Sequence, residues 1–101
     1  MRGNSLLSDE NDPCCYVCGT TQNLHVHHCF PGYGRRKVSD EQGCWVYLCG
    51  HHHNMSNQGV HFNHELDMRI RCKCQEAWEQ REGIDEPDHE TFIGLFGCNY
   101  L

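Results

Sequence analysis

The segment CYVCG at residues 15–19 begins a run of candidate metal ligands that continues through LHVHHC at residues 24–29 and ends in WVYLCGHHH at residues 45–53. Two cysteines across a tight turn, and a cysteine followed three residues later by a histidine, have the ligand spacing of a tetrahedral zinc site. We therefore predict one closed structural zinc site. Its four ligands are Cys15, Cys18, Cys49 and His52.

The register of these ligands is open by one residue at two places. Cys14 could replace Cys15, and His51 could replace His52, because either shift is physically possible. Several histidines also remain after the zinc site is filled, and one closed site cannot use them. The surplus predicts a second metal site with more open chemistry. The surplus histidines are His27, His28, His53 and His61.

Chain length and cysteine content indicate a small intracellular metal protein. A chain of 101 residues with 38% apolar content forms one domain with a small core that needs a further stabilising element. Nine cysteines could form disulfides, but the count is odd and residues 1–13 lack the apolar stretch of a signal peptide. We therefore expect a cytoplasmic protein with bound metal. No segment predicts a membrane span.

The charge distribution is less acidic at the centre than at the ends. The net charge of −6 is unusual for a nucleic-acid-binding protein, which generally has a basic surface. Between Cys14 and Arg81, however, there are seven basic and six acidic residues, so the acidic excess lies in the two ends of the chain. A bound dication would add positive charge to the central region. Charge alone neither supports nor excludes a polyanionic partner.

Composition divides the chain into an arm, a domain and a tail. Residues 1–13 are polar and predict a flexible N-terminal arm. The domain spans residues 14–82. Residues 83–101 predict an acidic linker and then a short apolar tail that docks on the domain.

Within the domain we predict two strands and one long helix. Alternating polarity predicts a strand over residues 23–29, and aromatic and β-branched residues predict a second over residues 44–49. Between them, PGYGRRK at residues 31–37 is turn-rich and predicts a loop with three positive charges. Apolar residues at steps of three or four predict a helix over residues 63–82, with Asn63 as its N-cap.

Four pieces of the sequence, taken together, resemble the HNH nucleases of the ββα-metal group. They are CYVCG, LHVHHC, WVYLCGHHH and GVHFN, and the likeness extends over residues 14–82. The tail is similar to the C-terminal segment of small HNH proteins of phages and prophages. The resemblance implies a small α+β fold in which a ββα-metal core is stapled by a structural zinc and continues into a C-terminal helix and a short tail.

The resemblance also implies roles for the surplus histidines. His27 corresponds to a ligand of the catalytic divalent metal, and His28 corresponds to the general base. His53 and His61 would complete the catalytic metal site. The zinc at the cysteine knuckle is separate and structural in cysteine-bearing members of the family.

Two features depart from the family pattern. Cys44 stands near the position where an asparagine that fixes the loop backbone is expected. The last two metal histidines usually lie one helical turn apart, whereas His53 and His61 are eight residues apart. The final ligand could therefore be Asn57 or His64 instead.

The implied function is that of a DNA endonuclease or nickase with low sequence specificity. Phosphodiester hydrolysis needs a base to deprotonate water and a positive centre to neutralise charge on the phosphate. The catalytic ion is open among Mg²⁺, Mn²⁺, Ni²⁺ and Zn²⁺. Contacts to phosphate carry no sequence information, so we expect little sequence preference. The basic residues predicted to contact DNA are Arg35, Arg36, Lys37, Arg69, Arg71 and Lys73.

The sequence is also consistent with a different class of function. A non-catalytic zinc-binding module for a protein or nucleic acid would need the zinc ligands but no base, so His28 separates the two hypotheses. The resemblance alone suggests phage packaging or recombination proteins as partners. No heptad repeat is visible, and the sequence therefore indicates neither an oligomeric state nor a choice between nicking and double-strand cutting.

Overall fold

The fold is a small α+β arrangement around a two-stranded antiparallel sheet, and the pairing confirms the two predicted strands. Strand β1 is Leu24–His28 and strand β2 is Trp45–Cys49, with Leu24 opposite Cys49. Four of the five residues of β2 are buried, as expected for an aromatic and β-branched strand. The computed structural model describes residues 4–30, 35–54, 59–81 and 88–101.

Helices connect and cover the sheet. The longest one confirms the predicted helix: the side-chain oxygen of Asn63 accepts a hydrogen bond of 3.1 Å from the backbone N–H of Leu66, which caps the first turn. No helix within the described ranges is long and apolar enough to cross a membrane. The helices are α1 (Arg35–Glu41), α2 (Gly50–His53), α3 (His64–Glu79) and α4 (His89–Phe96).

The core lies between β2, α3 and α4 and contains a cluster of aromatic rings that includes Phe30, just beyond β1. Phe92 is fully buried, and its ring centroid lies 5.2 Å from that of Phe30, 5.7 Å from that of Trp78 and 4.6 Å from that of Phe96. The buried indole N–H of Trp78 donates to the side-chain oxygen of Gln42 at 3.2 Å, so its polar atom is satisfied. The tail of the chain therefore docks on the body through Phe92 and Phe96 of α4.

The basic segment differs from the predicted loop. Residues 31–34 lie outside the described residues, but Arg35 begins α1 and the three positive charges lie on this helix. The loop was predicted because residues 31–34 contain a proline and two glycines. The following residues, RRKVSDE, contain no helix breaker and can therefore form a helix. The buried Ser39 anchors α1, because its hydroxyl donates to the carbonyl of Phe30 at 3.2 Å.

Residues 5–8, within the segment predicted as a flexible arm, contact β2. The hydroxyl of Ser5 donates to the carbonyl of Trp45 at 2.5 Å, and the backbone N–H of Tyr47 donates to the hydroxyl of Ser8 at 3.2 Å. Alternate residues of an antiparallel strand direct their backbone groups away from the paired neighbour. Residues 5–8 therefore cover the edge of β2 that β1 leaves open, which protects that edge from other chains.

We predict that α4 stabilises the fold through one ring. Phe92→Ala should lower the free energy of unfolding by about 3–5 kcal/mol, because it leaves a cavity among three aromatic rings. Ile93→Ala, which removes a partly exposed side chain from the same helix, should lower it by less than about 1 kcal/mol. Urea denaturation of both variants with bound metal held constant measures the difference, and equal losses would contradict the assigned core.

Candidate metal centres

A tight turn brings the first two cysteines together. The backbone N–H of Gly19 donates to the carbonyl of Cys15 at 2.9 Å, and Gly19 adopts a φ of +78°, a left-handed conformation that glycine reaches without strain. The N–H of Tyr16 donates to the carbonyl of Tyr47 at 2.8 Å, which attaches this turn to β2. Cys15 and Cys18 are thereby brought close to Cys49 at the end of that strand.

Four side chains then form a group with the dimensions of a zinc site. The Sγ atoms of Cys18 and Cys49 are 3.7 Å apart, and Cys49 Sγ lies 3.3 Å from His52 Nδ1. Bonds of about 2.3 Å to sulfur and about 2.0–2.1 Å to nitrogen put these pairs about 3.8 and 3.6 Å apart around a tetrahedral zinc. This group could hold a metal ion such as zinc, and we call it the cysteine centre. Its members are Cys15, Cys18, Cys49 and His52.

The electrostatics of the cysteine centre suit a cation. Burial opposes ionisation of Cys15, but backbone hydrogen bonds from Cys49, Cys18 and Val17 outweigh it and lower the pKa of this thiol. Burial raises the pKa of Cys49, and the neighbouring sulfurs of Cys15 and Cys18 raise it further. A cation among the sulfurs would remove that repulsion and favour the thiolate forms. Neither Cys14 nor His51, the alternatives left open by the sequence, belongs to the group.

Three surplus histidines form a second group, which we call the histidine centre: His27, His53 and His61. The Nε2 atoms of His53 and His61 lie 3.1 Å apart, close to the ~3.3 Å separation of two nitrogens on a tetrahedral zinc. The ring of His27 lies 5.4 Å from that of His53 and 5.8 Å from that of His61, between centroids. This group too could hold a metal ion.

His27 has a buried nitrogen that the described residues leave without a partner. Its side-chain Nε2 is inaccessible to water and neither accepts nor donates a hydrogen bond within the part of the chain that the structure describes. Burial, together with repulsion from His53 and His61, lowers the pKa of His27 from 6.5 to about 3. The ring is therefore neutral at pH 7. A bound metal ion would satisfy this otherwise unpaired atom, because a neutral imidazole binds metal through a nitrogen lone pair.

Backbone hydrogen bonds explain how His61 reaches His53 across eight residues. The N–H of Val60 donates to the carbonyl of His52 at 2.9 Å, and the N–H of His61 donates to the carbonyl of His53 at 3.3 Å. The chain thus folds back along α2. His64 is not part of the histidine centre, and Asn57, the other alternative, lies outside the described residues.

His25 contacts the histidine centre, a role that the sequence did not predict. Its Nδ1 lies 2.9 Å from Nδ1 of His53, so the two share a hydrogen bond and His53 keeps Nε2 for a metal. Such a partner fixes the ring orientation of a metal-binding histidine. Strand alternation could have revealed this contact, because His25 and His27 lie on the same face of β1.

The histidine centre opens into a cleft of about 530 Å³, hereafter the cleft. His28 also lines it, although neighbouring residues of a strand direct their side chains to opposite faces, and its Nε2 lies 3.0 Å from Oδ1 of Asp40. Asp67 lines the cleft and forms a bidentate ion pair with Arg71, whose guanidinium donates two hydrogen bonds of 2.8 and 3.0 Å to the carboxylate. The lining residues are Val26, His27, His28, Arg36, His53, Val60, His61, Asp67 and Arg71.

The six basic residues predicted to contact DNA occupy different surroundings. Arg36 and Arg71 line the cleft. The guanidinium of Arg35 donates to the carbonyl of Phe96 and so caps the end of α4. Arg69 lines a separate, smaller groove. Two more, Lys37 and Lys73, are exposed and form weak pairs with acids on their own helices.

Comparison with known proteins identifies no relative. No protein-family model, curated protein or solved structure matches the chain significantly.

We predict that the cysteine centre holds one zinc ion that stabilises the fold. Cys18→Ser should reduce the tightly bound zinc from about one ion per chain to a small fraction and lower the melting temperature, because a hydroxyl is a poor zinc ligand. Cys98→Ser changes another exposed cysteine and should change neither quantity. Elemental analysis after dialysis against a weak chelator, with thermal denaturation, tests this; equal zinc contents would contradict it.

We also predict that Gly59 is required for the histidine centre. A Cβ at residue 59 would lie 2.6 Å from the carbonyl oxygen of His53, so Gly59→Ala should displace His61 and weaken Ni²⁺ or Co²⁺ binding roughly 10- to 100-fold. Gly94→Ala is the control, since a Cβ there meets no atom within 4 Å. Calorimetric titration of zinc-loaded protein measures the affinity. Unchanged binding by Gly59→Ala would show that the backbone alignment does not govern this site.

Proposed function

We propose that the protein is a metal-dependent DNA endonuclease or nickase with an HNH-like, ββα-metal core. The observation that carries the proposal is the buried Nε2 of His27, which has no hydrogen-bond partner among the described residues. His27 lies with His53 and His61 at a cleft that His28 also lines. Three imidazoles with a fourth, that of His28, beside them fit the separate roles of metal ligand and general base that the sequence resemblance implies. Three rings hold a metal ion, and the fourth acts on water.

The ligand set supports an anionic substrate. His27, His53 and His61 are neutral ligands, so an ion held by them would retain its full positive charge. When bound, a divalent ion in this position would stabilise the negative charge that develops on a phosphodiester during hydrolysis. Imidazole nitrogens suit Zn²⁺ and Ni²⁺ better than Mg²⁺, which prefers oxygen ligands. We therefore expect activity with Zn²⁺ or Ni²⁺ to exceed that with Mg²⁺.

His28 is the group we propose as general base. Its side chain is 22% exposed, which leaves it accessible to a water molecule in the cleft. Imidazole is the side chain best suited to accept a proton near neutral pH. His27 is excluded from this role, because its buried position and low pKa oppose the charged form.

Arg36 and Arg71 are the basic residues best placed to bind the phosphate backbone. Both line the cleft, and the guanidinium of Arg71 is also paired there with Asp67. The guanidinium of Arg35 is instead held by the carbonyl of Phe96 at the end of α4. The guanidinium of Arg71 is also held by the hydroxyl of Tyr100 at 3.3 Å, so its position is fixed before substrate binds. These are contacts to phosphate, and cleavage of random-sequence DNA should show little sequence preference.

A second candidate is a zinc-binding module without catalysis. The net charge of −6 favours it, because a net negative protein is repelled by DNA at long range. A module of this kind requires only the cysteine centre. It offers no explanation for the unpartnered Nε2 of His27, and for that reason we rank the nuclease first.

The test is cleavage of supercoiled plasmid by purified protein with added Mg²⁺, Mn²⁺, Ni²⁺ or Zn²⁺. Wild type should convert the plasmid to nicked or linear DNA, and His28→Ala should reduce the rate roughly 10²- to 10⁴-fold, as for loss of a general base. His64→Ala should cut like wild type, since this exposed residue lies outside both centres. Retained zinc in all three proteins would confirm that the fold is intact.

The outcomes separate the two candidates. Cleavage by wild type and not by His28→Ala supports the nuclease and the base together. Equal cleavage by both would remove His28 as the base. No cleavage with any metal, while zinc remains bound at the cysteine centre, would overturn the nuclease and favour the binding module.

A further inference from the structure

A carboxylate from another element holds the proposed base. Oδ1 of Asp40 on α1 lies 3.0 Å from Nε2 of His28 at the end of β1. The two side chains are only 22% and 27% exposed, so solvent screens this pair less than a surface pair. Lys37 and Glu41 on the same helix show the contrast, because they are 4.0 Å apart and much more exposed.

The position of Asp40 is fixed by its neighbours in the chain. The hydroxyl of Ser39 donates to the buried carbonyl of Phe30, and the carbonyl of Ser39 accepts from the N–H of Cys44 at 2.8 Å. The first bond joins α1 to a residue just beyond the end of β1, and the second joins it to the start of β2. The helix that carries Asp40 is therefore hydrogen-bonded to residues next to both strands, and these bonds fix where its carboxylate meets His28.

The chemistry of this contact determines which nitrogen of His28 carries the proton. An ionised carboxylate only accepts hydrogen bonds, so Nε2 must be the protonated nitrogen in the contact with Asp40. The lone pair of the neutral ring is then on Nδ1. A histidine that lacked this partner would exchange between its two tautomers and orientations.

We infer that Asp40 is a positioning residue that holds His28 with its proton on Nε2 and assigns the role of base atom to Nδ1. The inference rests on the proposed nuclease function. In the reaction, a water proton passes to Nδ1 while the water oxygen forms a bond to phosphorus. The bond from phosphorus to the 3′ oxygen breaks, that oxygen takes a proton from solvent, and His28 later returns its own extra proton to solvent.

The first arm of the test measures the tautomer and needs no cleavage. Two-bond nitrogen–proton correlation NMR of zinc-loaded, ¹⁵N-labelled protein distinguishes a protonated Nε2 from a protonated Nδ1. In wild type and in Glu41→Gln, His28 should be protonated on Nε2. In Asp40→Asn and Asp40→Ala, the signals should shift toward a mixture of tautomers. A protonated Nδ1 in wild type, or an unchanged spectrum in both Asp40 variants, would overturn the inference.

The second arm measures kinetics. Asp40→Asn is nearly isosteric and should lower kcat roughly 10- to 100-fold with KM changed by less than about threefold, as expected when a catalytic group loses its orienting partner. Asp40→Glu keeps the carboxylate and should recover part of the loss, and Glu41→Gln should behave as wild type. An equal kcat for Asp40→Asn and wild type would overturn the inference and leave the nuclease standing.

The two arms also distinguish failure of the proposed function. If wild type cuts no DNA but the tautomer depends on Asp40, the nuclease is overturned and the orienting hydrogen bond remains. If wild type cuts and neither the tautomer nor kcat responds to Asp40, only the positioning role is lost. Circular dichroism and zinc content of each variant verify that the compared proteins are folded.

Discussion

The antiparallel pairing of β1 and β2 is the interaction on which both metal centres depend. Because the strands run in opposite directions with Leu24 opposite Cys49, the end of β2 lies beside the beginning of β1. The N–H of Gly50 donates to the carbonyl of Asn23 at 3.0 Å and extends this contact past the strands. A shift of one residue in register would turn every histidine of β1 to the opposite face, so the histidine centre requires this one alignment. The cysteine centre has no ligand on β1 and depends on the pairing only through the position of Cys49.

The histidine centre is an unfavourable arrangement for a protein without metal. Packed imidazoles reduce stability when one buried nitrogen finds no partner in the described part of the chain, since desolvation of a polar atom without a hydrogen bond costs about 1–3 kcal/mol. A chain with a small core has little stability to spare. Such departures from a well-satisfied interior concentrate at functional sites, which is why the buried nitrogen of His27 carries more weight than the number of histidines.

Local signals predicted the regular elements, and contacts between distant residues decided the rest. Alternation marked β1, aromatic and β-branched residues marked β2, and the Asn63 cap marked the start of α3, because each signal is contained in a few consecutive residues. The proximity of His61 to His53 depends instead on backbone hydrogen bonds to the carbonyls of α2, and backbone groups leave no trace in the sequence. The contact between Asp40 and His28 likewise requires α1, whose first three residues were predicted as part of a loop.

The two centres share one short element. His52 belongs to the cysteine centre and the adjacent His53 to the histidine centre, and both lie on α2, a helix of four residues. A helix this short has little intrinsic stability, so a metal ion on His52 would also order His53. Metal binding at one centre would then reduce the conformational entropy lost when metal binds at the other, which is positive cooperativity. The effect is reciprocal, because each centre must change the metal affinity of the other by the same factor.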